Sequence, residues 1–318
     1  MKVVAFGGGH GLGASLRALR RCTPKLDLEL TAVVTVGDDG GSSGRLRAQR
    51  GALPPGDLRQ ALVALAAEEA DTATTAALFQ HRYHPAGPDD PLAGHAVGNL
   101  VLCGLMELLG DPVAALDHAA AMVRAAGRVL PMSREPVAIE AQVRGGDPDR
   151  PDEVVTVRGQ HAVAVTPGRV ETVRLDPAVP PACPEAIAAV ATADWLLFGP
   201  GSWYTSVIPH LLVPDLAAAI VASPARRLII LNLATEPETV GLTVPDHLAA
   251  LAAYAPGLRA DVVLGDLVGV PDPGPAERAA ESLGARLVLA PVAVADGSAR
   301  HDPHNLAEAL VPLLAAAR

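Results

Sequence analysis

Lysine is almost missing from this sequence, because Lys2 and Lys25 are the only two among 318 residues. A Walker-type phosphate loop requires a lysine at a fixed place, so this class of nucleotide site is excluded. Any bound anion must therefore be held by arginines, by backbone N–H groups or by a metal ion. The net charge of −10 and the lack of a basic run also argue against nucleic acids and anionic membranes as partners.

Aromatic residues and cysteines are scarce as well. Aromatics make up 3% of the chain, so Ala, Leu and Val must fill the core, as in helices layered on a parallel sheet. Cys22, Cys103 and Cys183 lie far apart and form no disulfide or metal-ligand pattern, which favours a reducing compartment. No run is long and apolar enough to span a bilayer, and the strand-like start is too short for a signal peptide. We therefore expect a cytoplasmic protein.

Strand-like and helix-like segments alternate over most of the chain. This alternation predicts an α/β fold with a Rossmann-like, doubly wound, mostly parallel sheet. Four short segments rich in β-formers interrupt it and predict a small antiparallel β insert: 137–143, 153–157, 162–165 and 170–175. The predicted division is a nucleotide-binding half, the insert, and a second half that completes the same domain: 1–136, 137–176 and 177–318.

Several residues mark predicted helix ends. Asp57 and Asn99 stand where N-caps are expected, before 58–65 and 100–109. Gly110 occupies the C′ position of the second of these helices. Asp111 and the proline that follows it predict the start of the next helix, which we expect to end at Gly127.

A glycine-rich loop at 7–11 joins the first predicted strand to the first predicted helix. At such a junction, unpaired N–H groups and the helix dipole attract a phosphate, and the missing side chains let it come close. The run 9–14 also satisfies the permissive G-x-G-x-x-G/A pattern. A tight turn that uses glycine only structurally is the alternative. We favour phosphate binding by four residues of this loop: Gly8, Gly9, His10 and Gly11.

Asp38 and Asp39 follow the second predicted strand, where open α/β sheets bind their ligands. Ser42 and Ser43 come soon after them. Together these side chains could hold a ribose or a Mg²⁺ ion that bridges phosphates. The alternative is that one aspartate only caps the turn.

Arg59 falls in the first turn of the helix that Asp57 is predicted to cap. A cation there opposes the helix dipole, at a cost of roughly 0.3–1 kcal/mol. An anionic partner would offset this cost, and the candidates are Asp57, Asp38 and a ligand phosphate. A solvated arginine explains the residue equally well.

A second glycine-rich loop at 199–206 repeats the strand-glycine-helix arrangement in the other half of the chain. Glycine loops in both halves indicate one ligand that bridges them. The candidate contacts are Gly201, Ser202, Thr205 and Ser206, whereas the aromatics between them are expected to be core anchors. No order of Ser, His and Asp typical of a hydrolytic triad is present.

Six stretches together resemble one family, the YvcK proteins, which are gluconeogenesis factors of the wider CofD-like superfamily. The stretches occur in a specific order and cover nearly the whole chain: 7–12, 33–47, 54–59, 95–100, 198–209 and 300–303. The resemblance implies a Rossmann-like core and a nucleotide-sugar ligand of the UDP-N-acetylglucosamine type. It also implies a regulatory role in cell-wall precursor control and cell shape during growth on gluconeogenic carbon.

The resemblance adds further candidate residues. Asp57, Arg59 and Asn99 join the nucleotide-binding set, and four residues are assigned to the sugar or a second ligand: Asn232, Thr235, Glu238 and Arg300. His10 departs from the family, which commonly has threonine there. Glu236 stands where glutamine is common, and Trp203 where leucine is common.

Two enzymatic alternatives stay open beside the regulatory role. The other branch of the superfamily, to which 2-phospho-L-lactate transferase belongs, moves a phospholactyl-type group from a guanylylated donor to a deazaflavin. An oxidoreductase that uses a dinucleotide ranks last, because it has no use for the second glycine loop. We expect no securely required cofactor. A homodimer and a cell-wall precursor enzyme are the expected protein partners.

Overall fold

The computed structural model describes residues 1–147, 149–150 and 152–316. Its strands, in chain order, are β1 Lys2–Gly7, β2 Glu29–Val34, β3 Gly127–Pro131, β4 Ala138–Arg144, β5 Val154–Arg158, β6 Arg169–Asp176, β7 Trp195–Phe198, β8 Arg226–Ile230, β9 Val262–Asp266 and β10 Arg286–Ala290.

The helices separate these strands along the chain. They are α1 Gly9–Leu26, α2 Gly41–Arg50, α3 Pro55–Leu65, α4 Ala70–Gln80, α5 Val97–Leu109, α6 Pro112–Met122, α7 Gln160–Ala164, α8 Pro184–Ala191, α9 Pro214–Ala222, α10 Val244–Tyr254, α11 Pro273–Ser282 and α12 Pro303–Ala315. Short helical turns at Trp203–Val207, Ile208–Leu212 and Pro237–Thr239 complete the list.

Seven strands form one parallel sheet in the order β10-β9-β8-β7-β1-β2-β3. The chain moves outward from β1 in one direction and then returns to β7 on its other side, so the strand order reverses between β1 and β7. Phe6 pairs with Phe198 across this junction, and the two rings stack with centroids 4.9 Å apart. The loops after β1 and β7 therefore emerge side by side at a topological switch point, where doubly wound sheets bind ligands. The predicted fold is confirmed.

The remaining three strands form a separate antiparallel sheet in the order β5-β4-β6. This is the predicted insert, with one error. The segment 162–165 is not a strand but the end of α7, which begins after Gly159 at a φ of +104°. The N–H of His161 in this helix donates to the Asp39 carboxylate at 3.0 Å. Asp39 is 122 residues away in sequence, so a local pattern could not show this contact.

Some predicted helix ends are confirmed and others are wrong. Asp111 accepts hydrogen bonds from the N–H groups of the first turn of α6, and Gly110 ends α5 with a φ of +67°. However, α6 ends at Met122, and Gly127 instead begins the edge strand β3, which the sequence pattern missed. Asp57 and Asn99 are not N-caps, because α3 begins at Pro55 and α5 at Val97, and both residues lie inside the first turn.

The segment after Asp39 is more than the turn that an aspartate could cap, since α2 begins at Gly41. Its N-cap, Gly40, donates its N–H to the Asp38 carboxylate at 3.0 Å. Among the described residues, no single helix is both long and apolar enough to cross a membrane. In the same part of the chain, the consecutive helical segments Trp203–Leu212 and Pro214–Ala222 are long and apolar enough when taken together, but they are bent by 84° relative to each other.

Candidate functional site

A cavity of about 680 Å³ opens at the carboxyl ends of β1, β7 and β8. This volume lies in the range of small-molecule and cofactor sites. Its wall is built by the two glycine loops, by the chain after β8 and by the chain before α12: chiefly 8–11, 200–202, 232–237 and 299–301. The two halves of the chain thus contribute to one cavity, and a ligand that bridges the two glycine loops stays a prediction.

The first glycine loop leads directly into α1, which begins at Gly9. Its N-cap is Gly8, which has no side chain to accept hydrogen bonds from the first turn of the helix. Gly9 has a φ of +55°, and an added Cβ there would meet only Asp57 Oδ1, at 3.7 Å. Apart from the Gly9 N–H, which donates to Asp57, the first-turn N–H groups of α1 can receive an anion, and the backbone at Gly9 is open to close approach.

The second glycine loop is held in place by Asn232. Its side-chain Oδ1 accepts the Gly201 N–H at 2.8 Å, and its Nδ2 donates to the Gly201 carbonyl at 3.0 Å. Asn232 also lines the cavity. This predicted sugar-side residue therefore has a clear structural task, since it fixes the conformation of the loop opposite α1.

Asp57 lies beneath the first loop and does not line the cavity. It is 7% exposed and accepts a hydrogen bond from Thr35 Oγ1 at 3.1 Å. Burial and the charge of Asp38 raise the pKa of Asp57 to about 7, although hydrogen bonds from Thr35, Gln160 and the Gly9 N–H oppose the rise. A Cβ added at Gly8 would lie 2.5 Å from Asp57 Oδ2, so Asp57 and the loop are packed tightly together.

Ser42, Ser43 and Asn99 are buried and do not line the cavity either. Ser42 Oγ accepts from Asn99 Nδ2 at 3.1 Å and lies 3.0 Å from His95 Nδ1. Ser43 Oγ accepts the N–H of Gly56 at 3.0 Å. These hydrogen bonds tie α2 to the starts of α3 and α5. In this arrangement the three residues shape the scaffold behind the first glycine loop.

The carboxylates of Asp38 and Asp39 are engaged by different partners. Asp38 accepts from the Gly40 N–H, and Asp39 accepts from the His161 N–H. Burial raises the pKa of Asp38, against hydrogen bonds from Gly40 and Ser43. Within the described part of the chain, no group of three or more His, Cys, Asp or Glu side chains is arranged to hold a metal ion. Mg²⁺ binding by this adjacent pair stays a prediction.

The predicted contacts of the second loop and the sugar side divide into two groups. Ser202, Ser206, Thr235 and Arg300 line the cavity. Thr205 and Glu238 lie behind it, and the buried Glu238 carboxylate accepts the Tyr204 N–H at 2.9 Å. Burial is the main cause that raises the pKa of Glu238 to about 7.

Three cavity residues with ionisable side chains were not among the predicted ligand contacts: Arg17, Glu236 and His301. Burial lowers the pKa of His301 to about 4, against the charge of Asp266, so the ring is neutral at pH 7. Its buried Nε2 has no partner among the described residues. Burial likewise raises the pKa of Glu236, against a hydrogen bond from Ser202. Arg17 lies two turns into α1, where helical spacing could have placed it beside His10.

Comparison with known proteins gives a consistent set of relatives. Residues 3–284 match the family model described as 2-phospho-L-lactate transferase CofD. The chain is 50% identical over 312 residues to the "Putative gluconeogenesis factor" of Mycobacterium tuberculosis. This match covers 97% of this chain and 89% of the relative. It is 34% identical over 328 residues to the gluconeogenesis factor of Bacillus subtilis, with 98% of each chain covered.

A solved structure shows the same fold. The crystal structure of a UPF0052 family protein from Bacillus halodurans superposes with a TM-score of 0.83 at 32% sequence identity. The match covers 98% of both chains. The similarity therefore extends over the central sheet, the insert and the second half together.

Proposed function

Since this chain belongs to the gluconeogenesis factor family, within the CofD-like proteins, we propose that it is a regulatory protein that binds a nucleotide sugar. The ligand is of the UDP-N-acetylglucosamine type. Its level would report on the supply of cell-wall precursors in the cytoplasm, and so affect cell shape. The protein partner would be an enzyme of precursor synthesis, and the regulator itself could act as a homodimer.

The cavity between the two glycine loops is the observation that carries the proposal. The N-terminus of α1 offers backbone N–H groups and the positive end of a helix dipole, which suit a diphosphate. Opposite it, the Asn232 side chain holds Gly201 in place by two hydrogen bonds, with the Gly201 N–H at 2.8 Å and with the Gly201 carbonyl at 3.0 Å. The cavity wall offers a ligand mainly hydrogen-bonding groups, and Arg17 and Arg300 are the arginines in it. This combination suits a ligand with two phosphates and a neutral sugar.

The lining residues indicate where each part of the ligand would bind. The diphosphate would contact the first turn of α1 and Ser202, since Asn232 already engages both backbone polar groups of Gly201. The sugar would extend toward Thr235, Glu236 and Arg300, whose side chains line the far wall. His301 Nε2 is a buried group that a sugar hydroxyl would satisfy, because a hydroxyl can both donate and accept.

Isothermal titration with UDP-N-acetylglucosamine, UDP-glucose and GDP tests this function. We expect saturable binding of a UDP-sugar at a single site, and weaker binding of GDP. No heat of binding at millimolar UDP-sugar would contradict the proposal. Titration with NAD in the same series separates the nucleotide-sugar site from a dinucleotide site.

Phospholactyl transfer is the rival function, and the family model favours it directly. Phosphoryl-group transfer commonly uses carboxylates that hold Mg²⁺ beside phosphates. Asp38 fits this task in part, because it lies behind the first loop and its charge acts on Asp57. Asp39 fits it poorly, because its carboxylate is engaged by the His161 N–H. Product formed from deazaflavin acceptor, guanylylated donor and Mg²⁺ would favour this enzyme over the regulator.

A further inference from the structure

A second, smaller cavity of about 270 Å³ adjoins the first one. His10 and Arg17 line both cavities, so the two are neighbours across the start of α1. Two further arginines, Arg59 and Arg82, complete the wall of the smaller cavity, and no carboxylate lines it among the described residues. We call this space the arginine cradle, defined by Arg17, Arg59 and Arg82.

Arg59 is the buried member of the arginine cradle, at only 3% exposed. Its Nη1 donates to the Phe79 carbonyl at 3.5 Å and to Gln80 Oε1. Its buried Nε has no hydrogen-bond partner in the described part of the chain. Burial lowers the pKa of Arg59 to about 10, the charge of Arg82 lowers it further, and Asp57 and Asp38 oppose both effects. A buried guanidinium with an unpaired N–H is unusual, because removing that N–H from water is costly when no acceptor replaces the water.

The other two arginines also lack counter-charges. Within the described residues, none of the three cradle arginines forms an ion pair with a carboxylate, whereas Arg20, Arg128 and Arg134 do. Arg17 folds back over α1, so that a Cβ at Gly13 would lie 3.3 Å from its Nη1. Burial and the charges of Arg20 and Arg21 lower the pKa of Arg17. Arg82 Nη1 donates a hydrogen bond to the Gly94 carbonyl at 2.9 Å.

We propose that the arginine cradle is a binding site for a phosphate-class oxyanion, separate from the helix N-terminus that faces the larger cavity. Three arginine side chains line this one cavity, in a chain whose net charge is −10. A bound oxyanion would offset the repulsion between Arg59 and Arg82 and give the unpaired Arg59 Nε–H an acceptor. Arginine suits this task because its planar, forked donors match the oxygens of a phosphate.

The oxyanion has two possible sources. It is either a separate phosphorylated molecule or an anionic group of the ligand in the larger cavity, which His10 and Arg17 connect to the cradle. The test uses inorganic phosphate, so it does not depend on the proposed nucleotide sugar. Phosphate is titrated calorimetrically into the wild-type protein and into R59Q, R82Q and the control R150Q. Arg150 is an exposed arginine of the insert that pairs with Asp147 and Glu153.

We expect the wild-type protein and R150Q to bind phosphate equally, and R59Q and R82Q to bind it about tenfold to a hundredfold more weakly. R82Q changes an exposed side chain, so it reports on binding even if R59Q fails to fold. Absence of phosphate binding at millimolar concentration would overturn the proposal. Equal phosphate affinity in the wild-type protein and R82Q would also overturn the proposal, because the phosphate would then bind elsewhere, at the glycine loops.

A second titration repeats the phosphate series in saturating UDP-N-acetylglucosamine. Unchanged, Arg82-dependent phosphate affinity supports the cradle and identifies the oxyanion as part of a separate molecule. Loss of Arg82-dependent binding supports the cradle and assigns it to a group of the bound ligand. If the nucleotide sugar binds but phosphate never depends on Arg82, the cradle is wrong and the proposed function stands.

Discussion

Gly11 and Pro200 are in backbone contact, so a Cβ atom added at Gly11 would overlap the Pro200 carbonyl oxygen. It would also lie 2.6 Å from the Gly201 Cα. These residues belong to the two glycine loops, which come from opposite halves of the chain. Glycine at position 11 is therefore required by the close approach of the loops, in addition to any approach of a phosphate.

G11A is expected to push the two loops apart and weaken nucleotide-sugar binding by more than about tenfold. The physical reason is that the neighbouring atoms are backbone, which cannot move aside as a flexible side chain would. Calorimetric titration of the folded variant measures the effect. G104A is the matched control, because Gly104 also lies in a helix and has no atom within 4 Å of an added Cβ. Equal affinity in G11A and G104A would show that the loop contact does not shape the site.

Asn232 offers a second test of loop geometry. N232D keeps the acceptor for the Gly201 N–H but places a carboxylate oxygen against the Gly201 carbonyl, 3.0 Å from the present donor. We expect a loss of about 1–3 kcal/mol in the free energy of unfolding and at least about tenfold weaker ligand binding. Chemical denaturation and titration measure the two effects. Q142E, which changes an exposed amide bonded to Thr156 in the insert, is the control and should alter neither quantity.

The pKa of Glu238 predicts how stability depends on pH. Because this pKa rises from its ordinary value of 4.5 to about 7, the folded protein keeps the proton after the unfolded chain has lost it. The contribution to stability is complete below about pH 4.5 and is lost as the pH rises through about 7. The change is equivalent to about 3 kcal/mol at most. Asp57 acts in the same direction, since its pKa is also raised to about 7.

E238Q should therefore show a smaller loss of stability between about pH 5 and pH 8 than the wild-type protein. Its amide oxygen still accepts the Tyr204 N–H, so the hydrogen bond is preserved. Urea denaturation at a series of pH values gives the slopes. E308Q is the control, because Glu308 is an exposed partner of Lys25 and its pKa is lowered instead. Parallel curves for the wild-type protein and E238Q would contradict the assignment.

Local sequence signals predicted the parts of the site that are themselves local. Gly8 to Gly11 and Gly201 to Ser206 follow strands directly, so the β-strand and glycine patterns place them at the sheet edge. The capping rule identified Asp111 for the same reason, since its partners are two and three residues away. The same local rule failed at Asp57 and Asn99, which lie inside the first turns of α3 and α5.

Residues whose roles depend on distant partners could not be placed in this way. Asn99 resembled a cap, but its amide donates to Ser42, 57 positions earlier. Asp57 bonds Thr35, and α7 is held by Asp39. Helical spacing could have placed Arg17 beside His10, but only the packing of α1 against α3 brings it to the same cavity as Arg59. Tertiary contact therefore overrode local propensity at each of these positions.

Amide chemical-shift mapping with UDP-N-acetylglucosamine tests most directly whether the ligand lies between the two glycine loops. We expect the largest shifts at the backbone N–H groups of four residues that line the cavity from both halves of the chain: His10, Gly11, Gly201 and Ser202. The amides of the insert strands β5 and β6 should stay unchanged. Shifts confined to the insert, or to one glycine loop without the other, would contradict a ligand that bridges the two.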